Sequence, residues 1–305
     1  MNPTSQKVWP FWKRFSLRKT RRDSYPDAFS QLGMSVDSAS NAQLLAAGLP
    51  PRPVGDSEAL AAWQTAMADA RTYEAPDPLC STNVHSPVYT GIWAGHVAPN
   101  TDFGNVNFTW SQSQWVQPSV LGDSSYPAWT DAPDTSFWTG IGETSLIQAG
   151  ADSIASSTPV YKFWTEDYPA GTTWEGPAIV AGQSAYAYVE YLGNNKAYYF
   201  LENLNSGGYS PFTNAAPYVG WRDANFINER VNGLYLPAFS NVAVTNNYFG
   251  TSTSTWGLTS NFNQINVMTS NCLSSGSVLS YPSGVDSSGN FNQVWYSSSP
   301  FDNGC

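Results

Sequence analysis

The chain has 305 residues, 12% charged and 15% aromatic, with 13 Trp, 17 Tyr and 15 Phe, a composition that favours strands and a length that suits one large β domain with an extension. Seven of its 13 Lys and Arg lie in the first 22 positions, which hold no acid, so the rest of the chain sets 23 acids against 6 bases, a net −17. That balance excludes nucleic-acid binding by the main domain, and with no apolar run of about 18 residues no membrane insertion is predicted.

In chain order, residues 1 to 55 are basic and then rich in Ser, Ala and Pro, ending in the linker-like LPPRPVGD. The basic start is not followed by an apolar stretch, so no signal peptide is visible. Asp56 is a candidate N-cap for a helix from Ser57 to about Thr72, with Leu60, Trp63 and Met67 on one stripe. Residues 73 to 88 read as a connector open to cleavage. This divides the chain into a basic, partly helical N-terminal extension, 1–84, and a β domain, 85–305.

From Tyr89 the pattern is β. Short alternating runs cover Val106 to Trp110 and Gln114 to Val116, and the plainest hairpin joins Ser184–Leu192 to Lys196–Leu204 through Gly193-Asn194-Asn195. Ile265–Met268 and Phe291–Tyr296 supply closing strands. Many short antiparallel strands without intervening helices predict two packed sheets, an all-β sandwich. Cys80, Cys272 and Cys305 have no metal-site spacing; Cys272 with Cys305 is one pairing, and connectivity stays open. Two histidines, His85 and His96, are too few for a zinc site and stand near no GxSxG nucleophile motif. No metal and no cofactor are expected.

Three strands carry the chemistry. Ser145–Gly150 puts Gln148 on the same face as Leu146 and Asp152; Tyr161–Pro169 puts Trp164 and Glu166 on one face; Asp223–Val231 does the same for Asn225, Ile227 and Glu229. A glutamine in an apolar strand is either a hydrogen-bonded core residue or a group that holds a water and stabilises an oxyanion. A glutamate can act as general base and return the proton to a leaving amine. Burial beside aromatics would raise its pKa and hydrogen bonds to the carboxylate would lower it; the sequence leaves both open.

These segments resemble the glutamic peptidases (eqolisins), through Leu146-Ile147-Gln148-Ala149-Gly150, Ala224 to Glu229, Trp138 before Gly140-Ile141, and Trp164-x-Glu166 before Tyr168-Pro169. The likeness runs from about residue 89 to 298 and takes in Trp93-Ala94-Gly95, Leu201 to Leu204 and Pro237 to Thr245. It implies a concanavalin-like antiparallel β-sandwich and an acid endopeptidase with Gln148 and Glu229 as catalytic dyad. Trp138, Asp152, Trp164 and Glu166 would line or support the substrate cleft. It further implies protein or peptide substrates, a monomer, secretion, and a pro-region in residues 1–84. The chain departs from the family at Gly142, where an aspartate is frequent, and at Asn225, where many members carry an acid.

Two other readings fit parts of the sequence. Paired carboxylates such as Glu166 and Glu229 among tryptophans also suit a carbohydrate-binding or glycan-hydrolysing sandwich. Asp134-Thr135-Ser136 and Asp286-Ser287-Ser288-Gly289 loosely resemble the paired loops of aspartic peptidases, but neither is Asp-Thr/Ser-Gly.

Overall fold

The computed structural model describes residues 38–40, 87–142, 145–216, 223–231, 235–259, 263–270, 272 and 274–297. The predicted helix from Ser57 and the boundary at 84/85 lie outside the described residues, as do Cys80 and Cys305. Cys272 is disulfide-bonded. No helix among the described residues is long and apolar enough to cross a membrane.

The strands are β1 (Val88–Thr90), β2 (Trp93–Pro99), β3 (Trp110–Val116), β4 (Asp134–Gly142), β5 (Leu146–Ile154), β6 (Val160–Tyr168), β7 (Gly171–Trp174) and β8 (Ser184–Gly193). They continue with β9 (Lys196–Asn203), β10 (Gly208–Ala215), β11 (Asp223–Val231), β12 (Val242–Gly250), β13 (Thr255–Gly257), β14 (Gln264–Thr269), β15 (Val278–Pro282) and β16 (Phe291–Trp295). Two 3₁₀ turns, Asn100–Phe103 and Trp129–Asp131, are the helical elements among the described residues. The strands pair in the order β10-β9-β8-β3-β12-β16-β15-β14-β2-β11-β4-β5-β6-β7, antiparallel except for the short β1 beside β14. The path doubles over, so that β4 and β5 lie against β3 and β8 without pairing to them. This is the β-sandwich that the strand pattern predicts.

Between the layers, Phe137, Ile147, Ala149, Ala151 and Phe226 from one side meet Trp115, Ala185, Ala187, Val189 and Leu201 from the other. The alternation of β8 explains its place: Ala185, Ala187 and Val189 point inward and are fully buried, while Tyr186, Tyr188 and Glu190 point out. Small inward residues on β8 leave room for the large aromatics opposite. The β8–β9 hairpin closes on Asn194 and Asn195, both left-handed with φ of 54° and 58°, between the paired Gly193 and Lys196. Asparagine tolerates that conformation, which matches the twist of the flanking strands.

One sequence expectation changes. Residues 106–109 form no ladder; Phe108 turns in to pack edge-on against Phe103 and Phe249. Asp134-Thr135-Ser136, which falls short of the aspartic-peptidase motif, is the start of β4, a strand buried along its whole length, as is β5. Both faces of these strands are covered, one by the core and the other by the groups described next. His96 is also enclosed, its Nε2 bonded to the Ser283 carbonyl at 2.8 Å; desolvation holds its pKa down to about 4, against the bond to Ser283.

Candidate active site

Directly paired residues of an antiparallel ladder share a face, so the register of β2, β11, β4, β5 and β6 fixes what the outer face of this sheet presents. One row reads Val97, Asn225, Gly140, Gln148, Glu166, Thr172; the next reads Gly95, Ile227, Trp138, Gly150, Trp164, Trp174. A third reads Trp93, Glu229, Ser136, Asp152, Lys162. Gln148, Glu229, Trp138, Asp152, Trp164 and Glu166 all fall on this one face. Gln148 and Glu229 stand on strands flanking β4, opposite Gly140 and Ser136, with Trp138 at the position between.

Gly140 and Gly150 are required by close approach. A Cβ at Gly140 would meet the Ile147 carbonyl oxygen at 2.7 Å and Gln148 Cβ at 2.9 Å; one at Gly150 would meet the Phe137 carbonyl oxygen at 2.4 Å and Trp138 Cβ at 2.6 Å. These two positions therefore put no side chain between the tryptophans and Gln148.

Tryptophan N–H groups orient the carboxyls. Trp138 Nε1 donates to Glu229 Oε2 at 2.8 Å, and Trp93 packs edge-on to Trp138 with ring centroids 5.3 Å apart. Trp164 Nε1 donates to Asp152 Oδ1 at 2.7 Å and to Ser136 Oγ at 2.9 Å. Trp93, Val97, Trp138, Trp164 and Ile227 form one apolar cluster that removes water from these groups. Gln148, 4% exposed, donates from Nε2 to Glu166 Oε2, and Glu166 Oε1 accepts from Thr172 Oγ1 at 3.0 Å. Gln148 Oε1 is buried with no hydrogen-bond partner among the described residues. Buried polar atoms are normally paired, so this oxygen is placed to accept from a ligand or a water.

Burial decides the protonation of the site. Desolvation raises the Glu229 carboxyl from its ordinary 4.5 to about 7; the indoles of Trp93 and Trp138 pull it down, and the charges of Asp152 and Glu166 push it up. Desolvation likewise raises Asp152, against its bonds to Ser136 and Trp164. Asp134 is raised by desolvation and then by Asp152 and Glu229. Asp167, on β6, is pushed up to about 6 by desolvation and by Glu166. In acid these groups are mostly neutral.

This has a stability consequence. A carboxyl whose pKa is higher folded than unfolded stabilises the fold fully below the unfolded value, and that stability is lost as pH rises through the folded value. For Glu229 the window runs from 4.5 to about 7, and the shift corresponds to about 3 kcal/mol. His96, with its pKa lowered, works the other way, its stability being lost as pH falls from 6.5 toward about 4. Asp134, Asp152 and Asp167 add to the Glu229 side, so the carboxyls win. The melting temperature is expected to fall between pH 4.5 and 7, and to fall less in Glu229→Gln. A wild-type profile that rises over this window would contradict the burial argument.

All six residues singled out from the sequence are thus on one face. Sequence reasoning missed the roles of Trp93, Asp134 and Ser136. The signal was available for the last two: they share the parity of Trp138 on one strand, 134, 136, 138.

The sequence model of the peptidase A4 family matches residues 91–286, more than half of the chain. Among solved structures, scytalido-glutamic peptidase with a peptide-based transition state analog is 18% identical, covering 68% of this chain and 100% of its own, with a TM-score of 0.55. SCP-B, a member of the eqolisin family in complex with the tripeptide Ala-Ile-His, is 17% identical over 68% of this chain and 100% of its own, with a TM-score of 0.52. Aspergilloglutamic peptidase from Aspergillus niger is 26% identical over 53% of this chain and 99% of its own, with a TM-score of 0.44. Comparison with curated proteins finds no match. The two structures with the higher TM-scores share the fold, and the family match, spanning β2 to the loop before β16, settles the class: this chain belongs to the peptidase A4 family, the eqolisins, and is a glutamic-type peptidase.

Proposed function

We propose that the chain is an acid endopeptidase in which Gln148 and Glu229 act together on one water and one peptide carbonyl. The observation that carries this is the half-buried Glu229, its carboxyl held by Trp138, on the same face as a glutamine whose Oε1 has no partner among the described residues. Gln148 Oε1 accepts a hydrogen bond from the attacking water, and its Nε2, which has a second N–H beyond the one given to Glu166, donates to the carbonyl oxygen.

The direction of the Glu229 shift, which the sequence leaves open, is set by burial. With a pKa of about 7, Glu229 enters the reaction in acid as a neutral carboxyl. One of its oxygens takes the proton of the attacking water while its O–H passes its own proton to the carbonyl oxygen. The water oxygen bonds to the carbonyl carbon, a gem-diol forms, and Glu229 is again neutral. In the second half Glu229 gives its proton to the amide nitrogen and takes one from a gem-diol hydroxyl as the C–N bond breaks, yielding a carboxylic acid and an amine. Asp152 and Glu166 hold Trp164 and Gln148 in place, and Trp138 orients Glu229.

The relatives crystallised with a peptide-based transition state analog and with a tripeptide support a peptide as the substrate. Residues 1–84 are assigned to a pro-region on a secreted, monomeric enzyme. The test is digestion of an unfolded protein in acid, with a chelator and an aspartic-peptidase inhibitor added separately. Cleavage that resists both is expected; cleavage abolished by either would overturn the reading.

A further inference from the structure

Lys162 continues the row of Glu229, Ser136 and Asp152 onto β6. Among the described residues it is the only Lys or Arg on this face, because Arg230 takes the opposite parity on β11 and Lys196 belongs to β9. Its Nζ lies 4.0 Å from the centroid of the Trp129 ring and 5.2 Å from that of Trp174. The two rings meet edge to face at 5.5 Å. Trp129 comes from the 3₁₀ turn before β4, and Trp174 from the edge strand β7, where it pairs with Trp164.

The rings attract the ammonium without taking its hydrogen bonds. Ring faces attract a cation through their quadrupole but take no conventional hydrogen bond from it, and an ammonium has three N–H donors. No carboxylate or carbonyl among the described residues accepts from Lys162, and its register partner Asp152 is turned instead to Trp164. A positive charge held between two rings, on the sheet face that carries Glu229, Asp152 and Glu166, is suited to an anion on the substrate.

We propose that Lys162, clamped by Trp129 and Trp174, is a specificity determinant that selects substrates with an acidic side chain at a position remote from the scissile bond. The inference rests on Glu229 being the reacting carboxyl. Three strand spacings separate β11 from β6, about 14 Å, and an extended peptide crossing them advances about 3.3 Å per residue. The recognised side chain is therefore about four residues from the cleaved bond. A contact so far from the chemistry binds ground and transition states alike and acts mainly through KM.

The experiment uses synthetic peptides cleaved at one bond, with Asp or Asn placed in turn at each position, assayed at pH 5. There the Asp side chain, with an ordinary pKa of about 3.9, is ionised. The quantity read is the Asp/Asn ratio of kcat/KM within each enzyme, so the overall activity of a variant does not enter. The wild type is expected to favour Asp about fivefold at one remote position, the upper range for a partly exposed pair. Lys162→Met should bring the ratio to one, Lys162→Arg should keep it, and Lys162→Glu should invert it. A flat wild-type panel overturns the proposal without any variant, and so does a preference that survives in Lys162→Met. If the wild type cleaves no peptide of the Asn series, the cleft reading itself has failed, and this inference with it.

Discussion

Glu229→Gln is expected to give a folded protein that loses at least about 10³-fold in turnover, within the range for removing a group that transfers protons in the transition state. The substitution keeps the shape of the side chain and an oxygen to accept from Trp138 Nε1, the contact that orients the native carboxyl. An amide cannot pass a proton to the carbonyl oxygen or to the leaving nitrogen, so both halves of the reaction lose their proton carrier. Folding is predicted to improve at neutral pH, because the amide has no ionisation to resist burial. Near pH 7 the gain approaches about 3 kcal/mol, the stability the native carboxyl has lost there. Activity on an unfolded protein and a denaturation curve on the same sample test both halves. A folded variant that cleaves at the wild-type rate would remove Glu229 from the mechanism. Glu166→Gln is the control and should weaken cleavage without ending it, since Glu166 accepts from Gln148 and Thr172. If Glu166→Gln were the inactive variant and Glu229→Gln the active one, the reacting carboxyl would have to be reassigned and a glycosidase-like pairing reopened.

Gln148→Ala is expected to cost about 10²–10³-fold in kcat, the loss seen when one oxyanion donor is removed. It removes the acceptor for the water and the donor for the carbonyl oxygen together, so the upper part of that range is predicted. It also takes away the donor to Glu166, and a fold check by circular dichroism separates that effect from chemistry. Because Gln148 and Glu229 serve one water and one carbonyl, the double variant should be little worse than the poorer single variant. Effects that multiply in the double variant would show the two residues to act in independent steps, against the dyad.

Much of this site was legible in the sequence because alternation survives where a strand has one wet or mixed face. β11 matches its predicted bounds, Asp223–Val231, and puts Asn225, Ile227 and Glu229 together as period two requires. The β8–β9 hairpin was plain for the same reason. β4 was harder, since burial on both faces erases alternation. That is why the sequence shows no clear strand at Asp134 and Ser136, which are part of the site. The protonation state was beyond the sequence altogether. It depends on Trp93 and Trp138 coming from β2 and β4 to enclose a carboxyl on β11, contacts fixed only by the order of strands in the sheet. The Lys162 clamp was hidden likewise, since it needs Trp129 and Trp174 brought together from either side of β6.

The pH dependence of kcat/KM for the wild-type enzyme on a neutral peptide tests the account most directly, because that parameter reports the ionisation of the free enzyme. Initial rates are taken from pH 2 to 8, each sample being returned to pH 4 afterwards to confirm that lost activity recovers and is not unfolding. With Glu229 working as a neutral carboxyl, kcat/KM should be sustained in acid and fall as pH rises through about 7, the value set by its burial. A kcat/KM that instead rises with pH and reaches its plateau only above 7 would mean that the ionised carboxylate is the active form, and would contradict the mechanism.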